Sequence, residues 1–290
     1  MPRKQPARSV TIVLTLFLCA RVSAQAPIAS SADFQPPTVT MAQAFAFNVA
    51  IGGTIAAFRA HIAGRNAWSA FKTGAVGGGV HFLGKEIGVG RWAPSGVLGS
   101  VVAATGTSII ANASEGRAAF SELSVPVSAV RLRFTPAAQS KFHASLNVFY
   151  AGLLVRDAIR PGLRFQWGHS AYAASPVFLT DKRIKMGDVF PGGITDGSNV
   201  VITTTLYDAT EDEVLRHEAT HVRQLFLFEE TIGLPLERRL RQVIPGARRI
   251  PAWLELGFLP VAASALDQLS PKRQPLYRWL DGEAEMFERR

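Results

Sequence analysis

Cysteine, charge and long apolar runs are scarce in this 290-residue chain, and each scarcity excludes a class of protein. The single cysteine, Cys19, lies near the N-terminus, so the body of the chain has no disulfides and no thiolate metal sites. Charged residues at 59, 72, 85 and 91 separate the apolar segments of that body, which argues against an obvious multi-span membrane protein. Charged residues make up 18% and hydrophobic residues 48%. This composition excludes a disordered chain and predicts a buried core.

The N-terminus has the layout of a secretory signal peptide. Three basic residues precede the apolar run 10–18, and residues 22–24 read Val-Ser-Ala, a small-residue pattern that fits cleavage after Ala24. The apolar run is short for a membrane anchor. We therefore expect residues 1–24 to be a signal peptide and the protein to be exported, to the periplasm or cell envelope.

The positive charge of the remaining chain is modest. The predicted signal peptide carries four basic residues and no acid, so its removal lowers the formal charge of +9 by four. The excess concentrates around residues 238–241 and 248–249, without interleaved aromatic residues or a known nucleic-acid module. We expect no nucleic-acid partner. The basic residues indicate a solvated helix face or a peripheral contact with anionic lipid headgroups at a membrane surface.

The body of the chain divides into three stretches that together predict an α+β fold. Residues 25–120 are rich in Gly and Ala and apolar, which favours tightly packed helices, with a membrane-inserting hairpin as the alternative. Residues 121–206 contain short β-branched runs separated by Pro and Gly, typical of an antiparallel sheet. The candidate strands are 125–134, 145–155, 163–172, 176–179 and 199–206. The last is the most strand-like, and because it directly precedes the helical stretch, it could be a sheet edge that pairs with an extended peptide. Residues 207–290 are predicted to be helical.

The chemistry concentrates in a His-Glu-x-x-His motif on the first of these helices. Thr210 and Glu213 form a capping box that starts the helix. His217 and His221 lie one turn apart and point the same way, so their imidazoles can bind one Zn²⁺ ion. Glu218 lies about 100° around the helix, where it can accept a proton from a water on the metal. The alternatives are a structural or inactive zinc site, or two histidines satisfied by neighbouring side chains.

On this motif the sequence resembles the zincin metallopeptidases, and among them the gluzincins, whose third zinc ligand is a downstream acid. Gln224 and Leu227 stand where a metzincin needs Gly and His. The motif-level resemblance covers about 199–290 and implies zinc-dependent hydrolysis of a peptide or protein substrate, within a zincin-like domain over 121–290. The order of the three stretches also resembles a group of exported bacterial proteins.

Four acids after the motif are candidates for the third zinc ligand. In the last predicted helix, Glu283 lies about 60° from the centre of the apolar face and Asp281 about 100°. We expect Glu283 to be the ligand. Asp281 is the main alternative, because Asp-x-Glu-Ala at this place aligns with the Glu-x-Glu-Ala of similar proteins. Glu255 and Glu285 are the other two candidates.

A group that stabilises the developing oxyanion is harder to assign. Many zincins use a His or Tyr beyond the motif, but no His follows His221. Tyr277 is our candidate, with Arg278 as the alternative. The competing interpretation is a non-catalytic binding or scaffold protein of the cell envelope, in which zinc only stabilises the fold. The two interpretations differ at Glu218, because a structural zinc site needs no acid there.

Overall fold

The computed structural model describes residues 38–90, 92, 94–184, 192–205, 209–257 and 275–288, without the side chains of 275–278. These residues belong to one compact unit, Pro36–Arg290. The predicted signal peptide, residues 1–24, lies outside them. The fold is α+β, as the sequence predicts.

Three long helices form the glycine-rich part of the chain: α1 (Met41–Ile62), α2 (Ala67–Gly88) and α3 (Ser95–Ser114). Their glycines allow the backbones to approach closely. A Cβ atom added at Gly78 would lie only 2.0 Å from the carbonyl oxygen of Asn48. A larger residue would not fit there, so α1 and α2 pack backbone to backbone at this point.

The elements that follow are, in chain order, β1 (Leu123–Val127), β2 (Val130–Phe134), β3 (Phe142–Asn147), α4 (Val148–Ile159), β4 (Arg164–Phe165), α5 (Trp167–Ala173), β5 (Val177–Thr180), β6 (Gly193–Asp196), β7 (Asn199–Thr203), α6 (Glu211–Phe228), a π-helical turn (Glu229–Gly233), α7 (Leu234–Val243), a 3-10 turn (Ala247–Arg249), β8 (Leu254–Glu255) and α8 (Pro275–Glu288). The strands form two sheets, in the orders β1-β2-β3-β8 and β4-β5-β7-β6. Most pairings are antiparallel, as predicted. However, each sheet also contains one parallel pairing, β3 with β8 and β5 with β7.

Two segments that the sequence indicated as strands are mainly helical. The candidate strand over 145–155 ends at Asn147, whose side chain accepts a hydrogen bond from the backbone N–H of Tyr150 and starts α4. The candidate over 163–172 contains only the two-residue β4 before α5 begins. In the first case the capping residue overrides the β-branched and aromatic composition of the segment.

The motif helix α6 forms over the predicted residues. Thr210 and Glu213 make the predicted capping box, and the helix runs to Phe228. Its buried side, which includes Val214 and Val222, packs against the apolar side chains of β5 and β7. In the described sheet β7 lies between β5 and β6, so the prediction that it is an edge strand is wrong; β4 and β6 are the edge strands.

The helices α1 and α3 are long and apolar enough to cross a membrane, by length and composition alone. Within the fold, 61% of the apolar window of α3 is buried, but only 28% of that of α1. Core helices of soluble proteins pass the same test, so this property alone does not place either helix in a lipid bilayer.

Candidate metal centre

Three side chains that can bind a metal meet where α8 packs against α6. The Nε2 atoms of His217 and His221 lie 3.1 Å apart, and each lies 3.5 Å from Oδ1 of Asp281. Tetrahedral zinc, with bonds of about 2.0–2.1 Å, places its ligand atoms roughly 3.3 Å apart. The three atoms therefore have the spacing of three corners of a zinc tetrahedron. Sequence reasoning identified both histidines and kept Asp281 as an alternative.

The other ring nitrogen of each histidine has its own acceptor. Nδ1 of His217 donates to Oε2 of Glu288 at 2.9 Å, and Nδ1 of His221 donates to Oε1 of Gln224 at 2.8 Å. These bonds fix the rings so that both Nε2 atoms face Asp281. Such partners of a histidine ligand commonly set its tautomer and orientation. Glu288 was not among the predicted site residues, although it lies two helical turns after Asp281 on the same face of α8.

The electrostatics of the group favour a cation. Burial alone would lower the pKa of His217, but its hydrogen bonds to Asp281 and Glu288 outweigh burial and raise the pKa to about 10. Burial would raise the pKa of Asp281, but its hydrogen bonds with both histidines hold it well below the ordinary value. Asp281 is thus ionised, and the site attracts positive charge, supplied by a proton or by a metal ion.

Glu283, the expected third ligand, lies elsewhere in the interior. It is fully buried, and its carboxylate accepts hydrogen bonds from Lys85 Nζ at 2.9 Å and from Asn48 Nδ2 at 2.6 Å. The apolar face of α8 was predicted well, since Ala284 is also fully buried. The histidines, however, lie at the partly exposed rim of this interface. A ligand must therefore come from the margin of the face, where Asp281 lies, and not from its centre.

Gln224 connects Glu283 to the histidines. Its Nε2 donates to Oε2 of Glu283 at 2.8 Å and to the carbonyl oxygen of Leu280 at 3.0 Å, while its Oε1 holds His221. A continuous series of hydrogen bonds thus runs from Lys85 on α2 through Glu283 and Gln224 to His221. The sequence signal for these hydrogen bonds was Lys85, a lysine inside a glycine-rich apolar helix, because a buried lysine needs a buried partner.

Glu218 lies beside the histidines and against β6. The residue is 6% exposed, and its Oε2 accepts a hydrogen bond from Thr195 Oγ1 at 2.7 Å. Its charge contributes to the raised pKa of His217. Gly193 leaves the space that Glu218 occupies, because a Cβ there would lie 2.9 Å from Cγ of Glu218. The edge strand therefore fixes the position of the predicted general base.

The remaining candidates do not join the group among the described side chains. Glu255 lies on β8 and is bound by Arg131 and Arg133. Glu285 is not part of the three-residue group. The side chains of Tyr277 and Arg278 lie outside the described residues, so the predicted stabiliser of the oxyanion stays a prediction.

Comparison with known proteins adds no family assignment. No family model matches the chain, and no curated protein and no solved structure matches it significantly. The resemblance to zincins thus rests on the His-Glu-x-x-His motif and on the group formed by His217, His221 and Asp281, which could hold a metal ion.

Proposed function

We propose that the chain is an exported zinc-dependent hydrolase of peptide bonds. The observation that carries this proposal is the spacing of His217, His221 and Asp281, together with an ionisable carboxylate, Glu218, held beside them. One carboxylate oxygen and two imidazole nitrogens are donors that zinc accepts, and no thiolate is needed.

Each residue has a separate role in this proposal. His217, His221 and Asp281 would hold the zinc ion, which when bound lowers the pKa of water toward neutrality and so supplies a nucleophile. Glu218 would accept the proton of that water and pass it to the leaving amine. Thr195 fixes one oxygen of Glu218 by its hydrogen bond.

The free edge of β6 favours a peptide as the substrate. It pairs with β7 on one side only in the described sheet, and its Gly193 and Thr195 contact Glu218. An extended peptide can add to such an edge through backbone hydrogen bonds. This arrangement would carry a scissile bond past Glu218 and the metal-binding group.

Metal content and turnover test the proposal together. Plasma mass spectrometry of the purified protein should find near one zinc per chain, lost in His217→Ala. The Glu218→Gln variant should keep its zinc but lose hydrolysis of a casein or peptide-library substrate by at least about 100-fold, since removal of a general base costs roughly 10²–10⁴ in rate.

Two results would overturn it. If neither the unsubstituted protein nor His217→Ala binds zinc that is supplied at neutral pH, the chain has no zinc site. Zinc binding with no turnover that depends on Glu218 would instead favour the non-catalytic envelope protein. The hydrogen bond between Thr195 and Glu218 would then be only structural.

A further inference from the structure

The helix α4 presents an exposed stripe of apolar residues. Val148, Val155 and Ile159 are the exposed large apolar residues of this helix, at 43%, 59% and 75%, and Gly152 is exposed between them. At about 100° per residue, the four positions fall within about 60° of one another around the helix. We call these four residues the α4 stripe. Because they lie on one side of one helix, they form a single continuous surface.

The opposite side of α4 fixes the helix to the fold. Its buried residues are Tyr150 and Asp157, which lie about 180° from the α4 stripe. The carboxylate of Asp157 accepts hydrogen bonds from Asn199 Nδ2 on β7 and from Arg156 Nε, both at 2.9 Å. The helix is therefore anchored through its buried side, and the stripe lies where a partner can reach it.

The spacing of the α4 stripe indicates another helix as the partner. Its residues follow one another at intervals of four, three and four positions. This is the a/d spacing of a coiled-coil seam, in which each side chain inserts between residues of the facing helix. A helix that lies on a lipid surface instead carries a broader apolar face opposite a strongly charged one.

The stripe is complementary to itself in an antiparallel pair, because its intervals read the same in both directions. With a two-fold axis between positions 153 and 154, Val148 of one copy faces Ile159 of the other, and Gly152 faces Val155. A Cβ atom added at Gly152 meets nothing within 4 Å in its own chain. The side chain of Val155 from the other copy therefore finds open space opposite it.

The charges beside the stripe do not oppose this contact. Arg156 and Arg160 are the exposed charged residues of α4 and its C-terminal cap. Arg156 is paired with Asp157 and Asp196. In the antiparallel pair, each Arg160 lies about 20 Å from its symmetry mate along the helix axis. A parallel pair would instead place each arginine level with its own copy.

We propose that the α4 stripe is the contact between two copies of this chain, packed antiparallel about a two-fold axis. The stripe is about 17 Å long. Such a contact is smaller than that of a permanent dimer, so the pair should exchange with the monomer. This association does not depend on the proposed hydrolysis.

Analytical ultracentrifugation tests the association. The chain without the predicted signal peptide, residues 25–290, should change from monomer to dimer as its concentration rises from about 1 μM to about 1 mM. Val155→Asn with Ile159→Asn should weaken the dimer by at least about 10-fold, because each substitution acts twice in a two-fold pair. The control, Val76→Asn with Val243→Asn, changes valines that are 64% and 72% exposed on α2 and α7 and should leave the association unchanged.

Disulfide formation tests the orientation of the pair. Residues 25–290 contain no cysteine, so Val148→Cys with Ile159→Cys introduces the only thiols. Within one helix these positions are about 17 Å apart, too far for an intramolecular bond. Oxidation should therefore give covalent dimers. Val148→Cys alone should give few, because position 148 lies about 17 Å from its symmetry mate along the helix axis.

Three results would overturn the proposal. The first is a monomer at about 1 mM, which would leave the α4 stripe to a different partner. The second is an equal effect of the two double-Asn variants on the association, with circular dichroism unchanged in both. The third is efficient cross-linking of Val148→Cys alone, which would indicate parallel helices. The cysteine variants keep the test valid if an asparagine variant does not fold.

Discussion

Replacement of Lys85 by Met should weaken metal binding, although Lys85 touches neither histidine. Lys85 Nζ lies 2.9 Å from Glu283 Oε2, and both side chains are at most 1% exposed. Without the ammonium group, Glu283 becomes a buried carboxylate without a counter-ion, which is strongly unfavourable. Glu283 should then rearrange and weaken its hydrogen bond with Gln224. The amide can then turn and release His221.

The substitution should lower both the stability of the fold and the affinity for zinc. Removal of one partner from a buried ion pair costs about 3–5 kcal/mol of stability. Loss of a group that orients a metal-bound histidine weakens metal affinity by roughly 10- to 100-fold, which corresponds to about 1.4–2.7 kcal/mol. The zinc dissociation constant of Lys85→Met should rise within that range, as measured by competition with a chromophoric chelator. Urea unfolding of the metal-free protein measures the loss of stability separately.

A second substitution isolates the charge. In Lys85→Met with Glu283→Gln the buried charge is gone, and the new amide oxygen can still accept a hydrogen bond from Gln224. Stability and zinc affinity should both recover most of their loss. The reasoning fails if Lys85→Met unfolds more easily yet binds zinc within twofold of the unsubstituted protein, because Lys85 would then stabilise the fold without positioning His221.

Three further predictions follow from other contacts. Asp281→Ala should lower zinc affinity by roughly 100-fold or more, measured with the same chelator, and an unchanged affinity would exclude Asp281 as a ligand. Gly78→Ala should cost about 1–3 kcal/mol in urea unfolding, because its Cβ would lie 2.0 Å from Asn48 O; Gly152→Ala, with open space around its Cβ, should cost nothing. Burial raises the pKa of Glu229 to about 7, although Arg131 opposes the rise. The folded state therefore keeps a proton that the unfolded chain releases near pH 4.3, so stability falls by up to about 4 kcal/mol as pH rises from about 4.3 to about 7. This fall should be absent in Glu229→Gln, and an equal fall in both proteins would contradict the assignment.

The motif helix could be predicted from the sequence because its signals are local. The capping box of Thr210 and Glu213 lies within one helical turn, and the four-residue spacing of His217 and His221 fixes their common side. The helical character of the glycine-rich stretch was also predictable, since small and apolar residues continue there for more than twenty residues without a strand pattern.

The third ligand and the sheet arrangement depend on packing between distant segments. Helical geometry places Glu283 closer than Asp281 to the centre of the apolar face of α8. That angle does not say where the histidines lie relative to α8. The parallel pairing of β5 with β7 likewise depends on the path of the chain between them, which alternation of residue types does not encode. The start of α4 did have a local signal, the capping side chain of Asn147, which the β-rich composition of the segment concealed.

The contact between Asn48 and Glu283 spans 235 positions of the chain. Asp281 and Glu288 also lie in α8, so the metal-binding group is incomplete until the last helix of the described structure docks against α1, α2 and α6. A ribosome makes the chain from its N-terminus, and the helices of the glycine-rich part are therefore available long before their partner. A growing chain carries two histidines without their acid, and a protein truncated before residue 275 would lack Asp281. Assembly of the candidate metal-binding group thus reports that α8 has been made and has docked.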